Sequence, residues 1–155
     1  MNSPCPWIKG VRPTGIKPKQ IIICGTRTFD LPHLLFEKMD IYTFFFDLVE
    51  VHIGGDGERF WDDSLLDFRR RGADHFANVW ADMHWWTKHI HHADWSLGKK
   101  AGPIRNTEMA KAVAPNGLCV AFHDGKSPGT KDMIQKFLRY NREKNLRVVK
   151  YKGKK

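Results

Sequence analysis

QIIICGTRTF, residues 20–29, decides the fold. Three consecutive isoleucines and a cysteine make a short β-branched run, too short for a helix and apolar on both sides, as a strand buried in a parallel sheet must be. Gly25 ends it, and Thr26, Arg27 and Thr28 read as a polar loop. Asp30 is placed to cap a helix carrying Pro32 in its first turn, with Leu34, Leu35, Met39, Tyr42 and Phe46 spaced as one apolar stripe. The unit is strand, loop, helix.

The logic recurs downstream. LVEVHIGG (48–55) predicts a second strand stopped by Gly54 and Gly55, and GADHFANVWADMHWW (72–86) predicts a helix. HIHHADW (89–95) reads as a third strand, and AGPIRNTEMAKAV (101–113) opens another helix with Pro103 in its first turn. GLCVAFHDG (117–125) predicts a fourth strand, GTKDMIQKFLRYNREK (129–144) a helix, and LRVVKY (146–151) a closing strand. Strands alternating with helices imply an α/β, Rossmann-like, three-layer domain with a mostly parallel sheet of about five strands. Residues 56–70 (DGERFWDDSLLDFRR) fit no regular period and read as an inserted polar loop.

With 155 residues, 41% of them hydrophobic, the chain suits one domain with a substantial core. The formal charge of +9 is concentrated at the ends, because four cations precede residue 21 and five follow residue 146, with no acid in either segment. The organisation is therefore a basic, proline-rich arm (1–19), a neutral domain (20–151) and a basic tail (152–155), which makes nucleic acid an unlikely main partner. Cys5, Cys24 and Cys119 have no zinc or disulfide spacing, and no membrane span or apolar leader is visible, so a soluble, cytoplasmic protein is expected. His84, His89, His91 and His92 invite a metal reading, as do Asp56, Glu58, Asp62 and Asp63, but strand alternation splits the first set and a hydrated surface accounts for the second. No metal or other cofactor is expected. Trp80, Trp85 and Trp86 suit a core or a homodimer face.

In a parallel sheet all loops leaving the strands' carboxyl ends open on one edge, and the unusual residues cluster there. Gly25, Thr26 and Arg27 follow the first strand, Gly54 and Gly55 the second, Gly102, Arg105, Asn106 and Glu108 the third, and Ser127, Gly129, Thr130 and Asp132 the fourth. Glycines admit close backbone approach, helix N-terminal amides favour anions, and arginine adds a charged fork, so the edge suits a phosphate-bearing ligand. Each piece also has a structural reading: Thr130 as a simple N-cap, Glu108 as a favourable acid near a helix start, and Arg105 paired with an internal carboxylate such as Asp94.

Together, IIICGTRTF (21–29), VHIGG (51–55), RGADHFANVWA (71–81), ADW (93–95), AGPIRNTEM (101–109) and CVAFHDGKSPGTKDM (119–133) resemble the SLOG superfamily, above all its YspA/YpsA-related branch and, more distantly, the Lonely Guy phosphoribohydrolases and DprA. The resemblance spans residues 20–150, with AGPIRN the most specific element. It implies a Rossmann-like domain that binds a nucleotide or nucleotide-derived ligand, with hydrolysis of its N-glycosidic bond as the associated chemistry. A noncatalytic nucleotide sensor and a single-stranded nucleic-acid binder are the alternatives. Arg105, Glu108 and Met109 match the Arg-x-x-Glu-Met pattern of the Lonely Guy enzymes. Arg105, Glu108 and Asp132 are accordingly the expected catalytic residues. The chain departs from the pattern at two places: residues 56–70 separate VHIGG from RGAD, and residues 125–133 lack the glycine pair and one acid of the phosphoribohydrolase loop.

Overall fold

The computed structural model describes residues 15–55 and 57–153, so most of the basic arm, Asp56 and the last two lysines lie outside the described residues. Five parallel strands form the main sheet: β1 (Lys19–Gly25), β2 (Val49–Ile53), β5 (Thr87–Ile90), β6 (Leu118–His123) and β7 (Leu146–Lys150), in the order β5-β2-β1-β6-β7. The register places Ile21 between Val51 and Leu118, and Gly25 beside Phe122. β1 occupies the centre, which explains why its isoleucines are fully buried.

Alternation along β1 divides the core. Ile21 and Ile23 face α1 (Pro32–Thr43) and α2 (Ala73–Met83), which contribute Leu35, Met39, Phe76, Ala77 and Trp80. Ile22 and Cys24 face α3 (Ala101–Ala112) and α4 (Pro128–Tyr140), which contribute Met109, Ala110, Met133 and Phe137. The result is the expected helix–sheet–helix sandwich. The chain runs from β1 outward through β2 to β5, then crosses back through α3 to β6 on β1's other side. Loops leaving β1 and β6 therefore diverge, and the gap between them is where doubly wound sheets place ligands.

Several local expectations need correction. Within the expected 56–70 loop, the described residues 57–70 are not irregular: β3 (Glu58–Asp62) and β4 (Asp67–Arg71) form a separate antiparallel hairpin. Asp30 caps nothing, since Leu31 holds the N-cap position of α1 without a side-chain bond. Its carboxylate instead takes both terminal nitrogens of Arg69, at 2.8 and 2.5 Å, and so ties the hairpin to the loop after β1. α2 ends at Met83, because Trp85 adopts a positive φ of 59°. The third strand of the sequence reading starts earlier and stops sooner than HIHHADW, covering residues 87–90, while Asp94 turns the chain by accepting the Ser96 amide at 3.1 Å. Trp80 and Trp86 are core residues, whereas Trp85 remains half exposed. No helix among the described residues is long and apolar enough to cross a membrane.

Candidate functional site

Arg105 sits one turn into α3, where a cation meets the unfavourable end of the helix dipole and needs oxygen partners. The expected Asp94 is not among its hydrogen-bond partners, having been drawn into the turn ahead of α3. Backbone oxygens take its place. Nη1 donates to the Gly54 carbonyl at 2.5 Å and the His91 carbonyl at 3.4 Å, while Nε donates to Asn106 Oδ1 at 3.0 Å. Among the described residues, no hydrogen bond occupies Nη2. Gly54 must be glycine for this, since a Cβ there would lie 2.5 Å from Nη1.

Asn106, buried beside it, donates through Nδ2 to Asp132 Oδ2 at 2.9 Å and to the Gly129 carbonyl at 3.4 Å. Asp132 in turn accepts from Lys136 at 2.9 Å. The chain of contacts links α3 to α4 and gives Asp132 a bracing role. Ser127, preceding Pro128, is the N-cap of α4 and accepts the Thr130 amide at 3.3 Å; Thr130 is not the capping residue but donates its hydroxyl to the same Ser127 oxygen at 3.1 Å. The Lys126 and Ser127 amides, bonded to Asp124, hold its carboxyl below the usual range.

These elements surround one cleft of about 500 Å³ at the carboxyl edge of the sheet. Gly25, Arg27, Gly54, Gly55, Arg105, Asn106, Ser127, Gly129 and Thr130 line it, so four separated sequence segments do meet. Four other expected residues do not line it. Thr26 turns inward beside Asp124 and Tyr151, Gly102 lies near the edge of Trp95, Glu108 is exposed near His91, and Asp132 stands behind Asn106.

The cleft also holds residues that the sequence reading assigned no role. Asp74, in the first turn of α2, lines it and approaches Gly54 from the same side as Arg105. Trp95, 60% exposed, forms part of its wall. Asp74 lies within the quoted RGAD element, and Trp95 within ADW, but neither showed its direction without the sheet order. Cys24 is on the floor; a hydrogen bond with Cys119 and burial push its thiol well up, so it is no ready nucleophile.

Beneath the Arg105 anchor lies a histidine stack. His52 bonds His91 at 2.8 Å and Gln20 at 2.6 Å, while His89 bonds Glu50 at 2.7 Å. Burial, reinforced by the neighbouring His89 and His91, lowers His52 to about 4, and burial also lowers His91. His91 turns to this stack and His92 to the cleft, so the histidines diverge; among the described residues no group of three metal-ligating side chains converges. The acids of the insert are committed as well, Glu58 to Arg71 and Asp62 to Arg69.

Among curated proteins, the chain is similar to the "Gene 61 protein" of Mycobacterium phage D29, at 41% identity over 75 residues. The match covers 42% of this chain and 55% of that protein, so it spans about half of the relative's length. No protein-family model matches the chain, and no solved structure matches it.

Proposed function

We propose that the cleft binds a nucleotide or nucleotide-derived small ligand, in keeping with the SLOG-like sequence pattern and a cytoplasmic setting. The observation that carries the reading is Arg105: two backbone carbonyls aim its guanidinium along the rim, and among the described residues Nη2 has no hydrogen-bond partner and can meet an incoming anion. The N-terminal turns of α2 and α4 open on the same hollow, and Arg27 adds a second cation. A Cβ at Gly129 would meet nothing within 4 Å, so the backbone there is open to a phosphate. The exposed Trp95 ring offers a flat wall for a base. Calorimetry with a panel of nucleoside mono- and diphosphates should find a ligand that Arg105→Ala binds at least about 100-fold more weakly, the loss of charge-assisted bonds worth roughly 1.5–3 kcal/mol each. Absence of binding across the panel defeats the proposal.

Asp74 favours a second step, hydrolysis of the N-glycosidic bond. Among the described residues it is the carboxylate that lines the cleft. In this reading Asp74 stabilises the cationic ribosyl centre and orients water; the C1′–N bond breaks, water adds its oxygen at C1′, and its proton leaves on the base. Chromatography should then show free base from wild type and none from Asp74→Asn. Intact ligand recovered after incubation would instead establish a sensor or sequestering role. For self-association we propose a face including Trp85, since Trp86 is taken up by the core; a monomeric mass by light scattering at high protein concentration removes it.

A further inference from the structure

The two faces of the β3–β4 hairpin are built differently. On the inward face every cation meets an acid: Arg69 forks onto Asp30 and reaches Asp62, and Arg71 reaches Glu58. Phe60 lies between them, 4.4 Å from one guanidinium and 4.0 Å from the other. On the outward face Arg59 stands directly opposite Arg70, and the next outward pair is Trp61 opposite Phe68. Among the described residues neither arginine has an acidic partner. Like charges opposed across two strands repel, while the two rings meet edge to face with centroids 5.2 Å apart and keep 47% and 51% of their surface exposed. The ring pair holds the two strands together, and the arginine pair works against it.

We propose that the outward face of the hairpin binds single-stranded nucleic acid, with Arg59 and Arg70 on successive phosphates and Trp61 and Phe68 under unstacked bases. Charge complementarity selects an anion, because two adjacent guanidinia with no acidic partner among the described residues repel and negative charge relieves them. The rings select among anions. An acidic peptide leaves them unused, and duplex nucleic acid keeps its bases stacked inside, whereas a single strand presents both phosphates and flat ring faces. Arg59 already lies 4.4 Å from the Phe68 ring, so cation and platform form one unit. An anionic membrane is disfavoured by Asp63 and Asp67, which flank the exposed tip leucines Leu65 and Leu66. The surface is separate from the nucleotide reading of the cleft and stands without it. It also differs from a role for the basic ends of the chain.

Fluorescence anisotropy on the full chain decides the matter, using a labelled twelve-nucleotide DNA strand, the same sequence as RNA, its duplex, an anionic phosphatidylserine vesicle and a polyglutamate peptide. The single strands should bind best. Arg59→Ala with Arg70→Ala should lower the slope of log affinity against log salt by ~1.4, two phosphates at ~0.7 each. Trp61→Ala should weaken binding about tenfold with the slope unchanged, and Arg59→Lys with Arg70→Lys should restore the slope. Circular dichroism confirms folding of each variant; if the double alanine variant fails it, the Trp61 and lysine variants carry the test. Equal binding by wild type and all variants would assign the affinity to the basic ends and overturn the proposal. A preference for duplex, vesicle or peptide overturns it as well.

Discussion

At the sheet rim and on the hairpin, arginines meet opposite fates. Arg105 spends three donors on the Gly54 and His91 carbonyls and on Asn106, and is thereby aimed. Arg59 and Arg70 face one another across the hairpin, held by no acid among the described residues. At the rim the backbone sets the direction of the side chain. The hairpin is a surface whose charge is left for something else to neutralise.

Replacing Arg105 by lysine should break the rim side of this contrast most severely. Lysine keeps the charge but has one nitrogen, so it cannot serve the carbonyls, Asn106 and an anion from three separate corners, and calorimetric nucleotide affinity should stay at least about 30-fold below wild type rather than recover. Gly25→Ala comes next: its Cβ would lie 2.5 Å from the Phe122 carbonyl oxygen and 2.7 Å from the Ala73 Cβ, contacts between sheet and helix that have nowhere to move. A cost of about 1–3 kcal/mol is expected, seen as a melting temperature lower by roughly 2–4 °C per kcal/mol.

Acid should attack the rim before the hairpin. Because folding lowers His52 from the ordinary 6.5 to about 4, the stability from its neutral ring is complete above pH 6.5 and is lost as pH falls toward 4. Burial is the main cause of the shift, His89 and His91 reinforce it, and Glu50 opposes it. Thermal melts should decline over that window in wild type and less steeply in His52→Gln, with no change of slope in Arg59→Ala. Trp95→Ala should cost about fivefold to tenfold in nucleotide affinity, the worth of one ring contact. Smallest globally is Arg69→Ala, which should raise hydrogen exchange in residues 58–71 while leaving that of β1 and β6 unchanged.

The central parallel strands were legible in the sequence because burial on both faces demands unbroken apolar runs, as in residues 21–23 and 118–122. The hairpin was not, because its alternation is Arg59, Phe60, Trp61 against Phe68, Arg69, Arg70: rings and guanidinia occur on both faces, and no polar period stands out. Asp30 and Asp94 illustrate a different limit. Both looked like local partners, one for a helix end and one for Arg105, and a contact 39 residues away claimed the first while a two-residue turn claimed the second. Convergence on one edge could be read from strand order; Asp74 and Trp95 could not, since their direction depends on how α2 and the turn at residues 95–100 meet that edge.

Gly57 and Gly72, at the hairpin's two ends, come together tightly: a Cβ on Gly72 would lie 3.1 Å from the Gly57 Cα. The chain therefore departs from the sandwich and rejoins it through a single narrow neck. An appendage attached in that way is exchangeable, so a short linker joining Gly55 to Gly72 should give a pared-down domain with its layers intact, and a foreign ribbon of similar span could be grafted in the hairpin's place.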